Sequence, residues 1–110
     1  MPIDLGAQPD LEIEVRPERE WVCVAPAGEL DLATVPALAR AVHELRDVGF
    51  TAFKIDLRGL TFIDSTGLRL LLELARDDGI ELRIVRGTGA VQRVFELAGV
   101  VDLLPLTGRP

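Results

Sequence analysis

Between residues 55 and 68 the sequence reads Ile55-Asp56-Leu57-Arg58-Gly59-Leu60-Thr61-Phe62-Ile63-Asp64-Ser65-Thr66-Gly67-Leu68. An apolar approach ends in four small or polar residues, and a strongly apolar helix follows. Asp64 is a natural N-cap. It places the hydroxyls of Ser65 and Thr66 in a first helical turn, where backbone N–H groups lack partners and the helix dipole is positive. A phosphate attached there would meet a favourable local field. Gly67 costs about 1 kcal/mol of helix propensity relative to Ala, and its missing side chain would let another protein's backbone approach closely. The same spacing is also that of a plain helix cap, and spacing alone favours the plain cap.

Other chemistry is poorly provided for. The single histidine, His43, lies in a predicted helix beside Glu44, and no Gly-x-Ser-x-Gly elbow surrounds Ser65, so a Ser-His-Asp hydrolase lacks its parts. Asp64 followed by Ser65-Thr66-Gly67 carries one residue too many for an aspartic-protease loop. No acidic pair follows the first strand to hold magnesium, as a receiver domain would require. Gly87-Thr88-Gly89 heads a predicted helix but lacks the glycine and lysine patterns that cradle nucleotides; parallel strands would bring Arg86 to the edge that carries Ser65. Cys23, alone in the chain and flanked by Val22 and Val24, reads as a buried strand position.

The 110 residues carry 12 Lys and Arg against 18 Asp and Glu, a net charge of −6, which argues against DNA, RNA and anionic membrane surfaces as ligands. No basic and then apolar leader is visible, and no apolar run approaches the length of a membrane span. These features lead us to expect a cytoplasmic protein that is not an enzyme and needs no cofactor or metal.

A frame of strands and helices has to hold the Asp64 segment. Residues 1–10 read as a loose terminus. Leu11-Glu12-Ile13-Glu14-Val15-Arg16 alternates as a strand with one wet face, and 21–25 forms an antiparallel hairpin with it, with Pro26 expected to end the pairing. Thr34 is a candidate N-cap for a helix with Val35, Leu38, Ala39, Val42 and Leu45 on one stripe, closed by Gly49. Residues 51–57 read as a third strand, 59–63 as a bridging segment, 68–76 as a second helix and 81–86 as a fourth strand. A third helix carries Val91, Val94, Phe95 and Ala98 inward and stops at Gly99; 103–106 reads as an edge strand. The expected fold is α/β, a small mixed and mainly parallel sheet of four or five strands with helices packed on it, in one domain over 11–106 with a tail at 107–110. In such a sheet 28–31 and 59–65 meet at one edge. Asp56 would there anchor a loop through hydrogen bonds, and Asp31 either caps the first helix or faces a partner.

Asp64-Ser65-Thr66-Gly67-Leu68 behind Asp56-Leu57-Arg58-Gly59 resembles the signature of STAS domains, specifically the stand-alone anti-anti-sigma factors of bacteria, also called anti-sigma factor antagonists. Gly28-Glu29-Leu30-Asp31 matches the family's second block, and 91–104 is similar to its third helix and closing strand. The resemblance runs over about 11–106. It implies a phosphoswitch. Ser65 would be the acceptor, with Thr66 as the alternative. The unphosphorylated form would bind an anti-sigma factor, itself a serine/threonine kinase with a histidine-kinase-like ATPase fold, and free the sigma factor; a metal-dependent serine/threonine phosphatase would reset the cycle. Partner contacts would come from Asp64, Ser65, Thr66, Gly67 and Leu68, with Glu29 and Asp31 behind them. The alternative within the family is a non-cycling interaction or small-ligand module in a stress-signalling complex.

Overall fold

The alternation of apolar and charged residues from Leu11 onward does make a strand. The structure, a computed structural model, describes residues 10–108, so most of the expected loose terminus and half of the tail lie outside the described residues. Strands β1 (Leu11–Glu18) and β2 (Trp21–Leu30) pair antiparallel over their whole common length. Arg19, at φ 59°, takes the positive angle that a two-residue hairpin requires at its first turn position.

Pro26 does not end this pairing: it faces Ile13, and the ladder continues to Gly28 opposite Leu11. The reason lies in which way β2 points its amides. Gly28 N–H donates to Gly59 O on the far side of β2, while Glu29 N–H donates back to Asp10 O. Two residues before Gly28, Pro26 would also have pointed its N–H to the far side. There it falls in a gap between two ladders, Val24↔Ile55 and Gly28↔Leu60, where β2 has no registered partner to receive an N–H.

That gap exists because β2 has two neighbours laid end to end. After helix α1 (Val35–Asp47), strand β3 (Ala52–Asp56) runs parallel to the first half of β2. The segment expected only to bridge then forms a strand of its own, β4 (Leu60–Ile63), parallel to the second half of β2. Leu60 and Ile63 are buried and Thr61 and Phe62 exposed, a pattern too short and irregular to announce a strand. Helix α2 (Ser65–Ala75) starts directly behind Asp64. Strand β5 (Glu81–Val85) then joins β3 in parallel, and helix α3 (Gly89–Ala98) ends at Gly99 with φ 71°.

The chain closes with a 3₁₀ turn, Val101–Leu103, and strand β6 (Leu106–Thr107) beside β5. Leu103 therefore belongs to the turn and the edge strand is shorter than expected. Pro105 stands just outside it, needing no N–H partner and offering its carbonyl to Ile84 N–H at 2.9 Å.

The sheet has six strands in the order β1-β2-β3-β5-β6, with β4 beside β2. Parallel crossovers that all step the same way and are right-handed place their helices on one face. Val22, Val24, Phe53, Ile55 and Ile84 on that face share one core with Leu38, Val42, Leu71 and Phe95 of the helices. The registered neighbours on the opposite face are largely charged: Lys54 Nζ pairs with Glu18 at 2.7 Å, and the Arg83 guanidinium lies 4.4 Å from the centre of the Trp21 ring. Cys23 is buried on that side, as its valine neighbours suggested.

Candidate functional site

The site forms where β2 and β4 end side by side, Leu30 in register with Ile63. Asp64 N–H donates to Leu30 O at 3.2 Å, and the extended backbone of Asp64 then turns the chain into α2. Its carboxylate works in two directions. Oδ1 accepts from the backbone N–H of Thr66 at 2.9 Å and of Gly67 at 3.1 Å, and from the Thr66 hydroxyl. Oδ2 accepts from Leu32 N–H at 3.3 Å. One side chain thus caps the helix and ties it to the loop that leaves β2, and the two sequence blocks expected to meet are joined by direct bonds.

Burial of Asp64 works against its ionisation. The Thr66 hydroxyl and the amides of Gly67, Thr66 and Leu32 outweigh that effect and hold the carboxyl below the usual carboxylate range. Ser65 is exposed in the first turn of α2, and among the described residues none hydrogen-bonds its hydroxyl. Thr66, half-buried, has already committed its hydroxyl proton to Asp64. The two candidate acceptors therefore differ in access and in engagement.

Gly67 and Leu68 correct the expected contact set. A Cβ on Gly67 would stand 2.7 Å from Ile63 Cγ1 and 3.1 Å from Leu30 O, so the glycine is needed to seat α2 on the ends of its own strands rather than to admit another backbone. Leu68 is only 6% exposed and belongs to the core. Neither offers a surface to a partner.

Thr34 is the residue before α1 but makes no side-chain cap bond. Its buried hydroxyl donates to Glu29 O at 2.8 Å and accepts from Asp31 N–H at 2.9 Å. Asp31 does not cap the helix either: its Oδ1 accepts from Ala33 N–H at 3.0 Å and Thr34 N–H at 3.2 Å, both amides of the loop before α1. Asp31 shapes the loop, while Glu29 stands exposed beside Phe62 in the β2–β4 register.

Asp56 is the loop anchor the sequence suggested. It accepts from Arg58 N–H and Nε at 3.0 Å each and from a terminal guanidinium nitrogen at 2.7 Å. The Arg58 side chain lowers its pKa most, and this outweighs the opposing effect of burial. The pair pins the turn between β3 and β4. Arg86 is not brought to Ser65: Leu57 N–H donates to Val85 O at 3.1 Å, so β5 ends level with Leu57. The four residues of β4 carry Ser65 about 13 Å further.

Two residues beside the site went unread in the sequence. Leu32 is 74% exposed and Phe62 47% exposed. The signal for Leu32 is its place between turn-forming residues; for Phe62, in a strand of four residues with no regular alternation, there is none. A groove of about 270 Å³ between α1 and α2 opens on the other side, lined by Val35, Ala39, Thr66, Arg69, Leu70 and Glu73. Among the described residues no group of three or more His, Cys, Asp or Glu could hold a metal, and no helix is long and apolar enough to cross a membrane.

A mixed sheet with this order, and a capped hydroxyl-bearing helix start beside the loop after β2, define a known class. The family model described as "Mlab, STAS domain" matches residues 13–105. The chain belongs to the STAS domain family. It is 32% identical over 98 residues to the anti-sigma-B factor antagonist of Staphylococcus aureus (strain NCTC 8325 / PS 47), covering 86% of this chain and 91% of that one. The crystal structure of an anti-sigma factor antagonist from Mycobacterium paratuberculosis matches with a TM-score of 0.79 at 27% identity, over 94% of this chain and 91% of that one. The anti-sigma factor antagonist SpoIIAA in its unphosphorylated form shares the fold, with a TM-score of 0.66 at 24% identity over 90% and 89% of the two chains.

Proposed function

We propose that this chain is an anti-sigma factor antagonist whose switch is Ser65. In its unphosphorylated form it docks on an anti-sigma factor that is also a serine/threonine kinase with a histidine-kinase-like ATPase fold, and the sigma factor is released. Phosphorylation of Ser65 ends the docking, and a metal-dependent serine/threonine phosphatase restores it. The chain works in the cytoplasm as a binding partner, its chemistry supplied by the two enzymes that act on it. The observation that carries this reading is the contrast at the start of α2: Ser65 exposed with an unengaged hydroxyl, Thr66 half-buried with its hydroxyl given to Asp64.

The switch acts through local electrostatics. A phosphate adds about −1.5 to −2 charges beside Asp64 and near Glu29, on a chain already at −6. Bringing that charge into a flush interface adds desolvation and like-charge costs, and a loss of about 3 kcal/mol lowers affinity roughly a hundredfold. The test has two arms. Intact-mass analysis after incubation with the purified kinase and ATP gives one added phosphate on wild type and on Thr66→Ala, and none on Ser65→Ala. In pull-downs the kinase is retained by wild type and Ser65→Ala and lost with Ser65→Asp. Equal retention by all three would replace the switch with the non-cycling module.

A further inference from the structure

We propose that Leu32 and Phe62 are the apolar anchors through which the surface around Ser65 grips its anti-sigma factor; this rests on the reading just given and names the contacts that give it affinity. Among the described residues six large apolar side chains stand exposed: Val15, Leu32, Val48, Phe62, Leu97 and Leu103. Val15 sits on the outer strand β1, Val48 follows the C-terminal end of α1, and Leu97 and Leu103 lie at and beyond the end of α3. Leu32 and Phe62 alone belong to the elements that frame Ser65.

Both are held in place rather than merely left outside. The Leu32 amide donates to Asp64 Oδ2, and Phe62 lies in the β2–β4 ladder beside Glu29, two residues before Asp64. A backbone already ordered by such bonds adds little to the cost of docking, and exposed apolar groups that flank a functional residue mark an interaction surface. The partner that fits is one presenting apolar hollows for Leu32 and Phe62 and a polar, uncharged contact for the Ser65 hydroxyl. The arrangement also explains why a single phosphate suffices. Beside these apolar contacts and Asp64 it would have to shed its water, a cost that Arg69, exposed one turn further along α2, offsets only in part.

The anti-sigma factor recovered with wild type in the pull-down, once purified, is the probe for calorimetric titration. Leu32→Ser and Phe62→Thr each weaken its binding by about tenfold or more, with the thermal unfolding midpoint close to that of wild type. Leu97→Ser, equally exposed on α3, binds as wild type does. Leu32→Ser decides by itself should Phe62→Thr unfold early, because Leu32 lies in a loop and leaves the core untouched. Binding within about twofold of wild type by Leu32→Ser, with Ser65→Asp still abolishing it, overturns the anchors and leaves the switch standing. Weakening by Arg69→Glu in place of Leu32→Ser moves the contact to the α1–α2 groove and also overturns them. Wild-type binding by Ser65→Asp is the separate failure, that of the switch itself.

Discussion

Helices α2 and α3 both leave the sheet behind a strand, both carry a glycine in the first turn and both start at a side-chain oxygen that accepts a backbone N–H. Beyond that they part. At α2 the Asp64 carboxylate serves two amides of its own helix, the Thr66 hydroxyl and the amide of Leu32 on another loop. At α3 the Thr88 hydroxyl accepts from Val91 N–H alone, at 3.5 Å. Gly67 is wedged against Ile63 and Leu30, whereas a Cβ on Gly89 would meet nothing within 4 Å. The dipole is positive at both N-termini, so the polarity of a helix end does not single out Ser65. What does is a start bolted to its neighbours, which holds a hydroxyl at a fixed place on the surface.

Substituting the two glycines tests that contrast most strongly. Gly67→Ala forces a methyl into occupied space and should destabilise the fold by about 1–3 kcal/mol, partly offset by the better helix propensity of alanine. Gly89→Ala meets open space and should be neutral or gain up to about 1 kcal/mol. Urea denaturation midpoints, at unchanged slope, separate the two. A Gly67→Ala protein as stable as Gly89→Ala would mean that α2 is not seated on the strand ends, and the contrast would collapse.

The caps come next in size. Asp64→Ala should cost about 2 kcal/mol, the upper part of the capping range, because an inter-element bond is lost with the cap; Thr88→Ala should cost about 0.5 kcal/mol. Hydrogen exchange sharpens this. The Leu32 amide should exchange faster in Asp64→Ala, although it lies 32 positions away in sequence, and Thr88→Ala should leave it unchanged. An unaltered Leu32 amide in Asp64→Ala would show that the carboxylate caps α2 without tying the loop.

Much of this contrast could be read before any coordinates. Asp64 as a cap, Gly99 as a stop and Asp56 as an anchor are local effects of side-chain chemistry, carried by neighbours in sequence. The meeting of 28–31 with 59–65 followed from the parallel sheet. The misses were non-local. Along the sequence Pro26 reads as a breaker, yet its missing donor matters only if an acceptor waits for it, and the gap between β3 and β4 is invisible along one strand. Gly67 was read outward as room for a partner, but the neighbour it makes room for is Ile63, brought close by a strand of four residues that no periodicity could show. Leu32 and Phe62 escaped for the same reason: exposure belongs to the assembled edge.

The smallest effect concerns charge. With its pKa held below the usual carboxylate range, Asp64 contributes stability that is fully present above its unfolded-state value of about 3.9. That contribution is lost as pH falls through the lower folded value, because below it both states bind the proton. Asp64→Asn keeps an oxygen that can accept from the amides of Thr66 and Gly67, but it cannot carry the charge and turns its NH2, a donor, towards the Leu32 N–H. Asp56 titrates on the same side of neutrality and is intact in both proteins, so the difference between wild type and Asp64→Asn isolates Asp64. The part of that difference due to charge should be a few tenths to about 1 kcal/mol in favour of wild type near neutral pH, and should vanish as pH falls through the folded-state value, leaving only the pH-independent cost of the lost Leu32 bond. Thr88 has no titratable group, so Thr88→Ser should show no such drift against wild type. A wild-type advantage over Asp64→Asn that stayed level through the acid range would assign the bolt at α2 to hydrogen-bond geometry, leaving the negative charge beside Ser65 free to act only on an incoming phosphate.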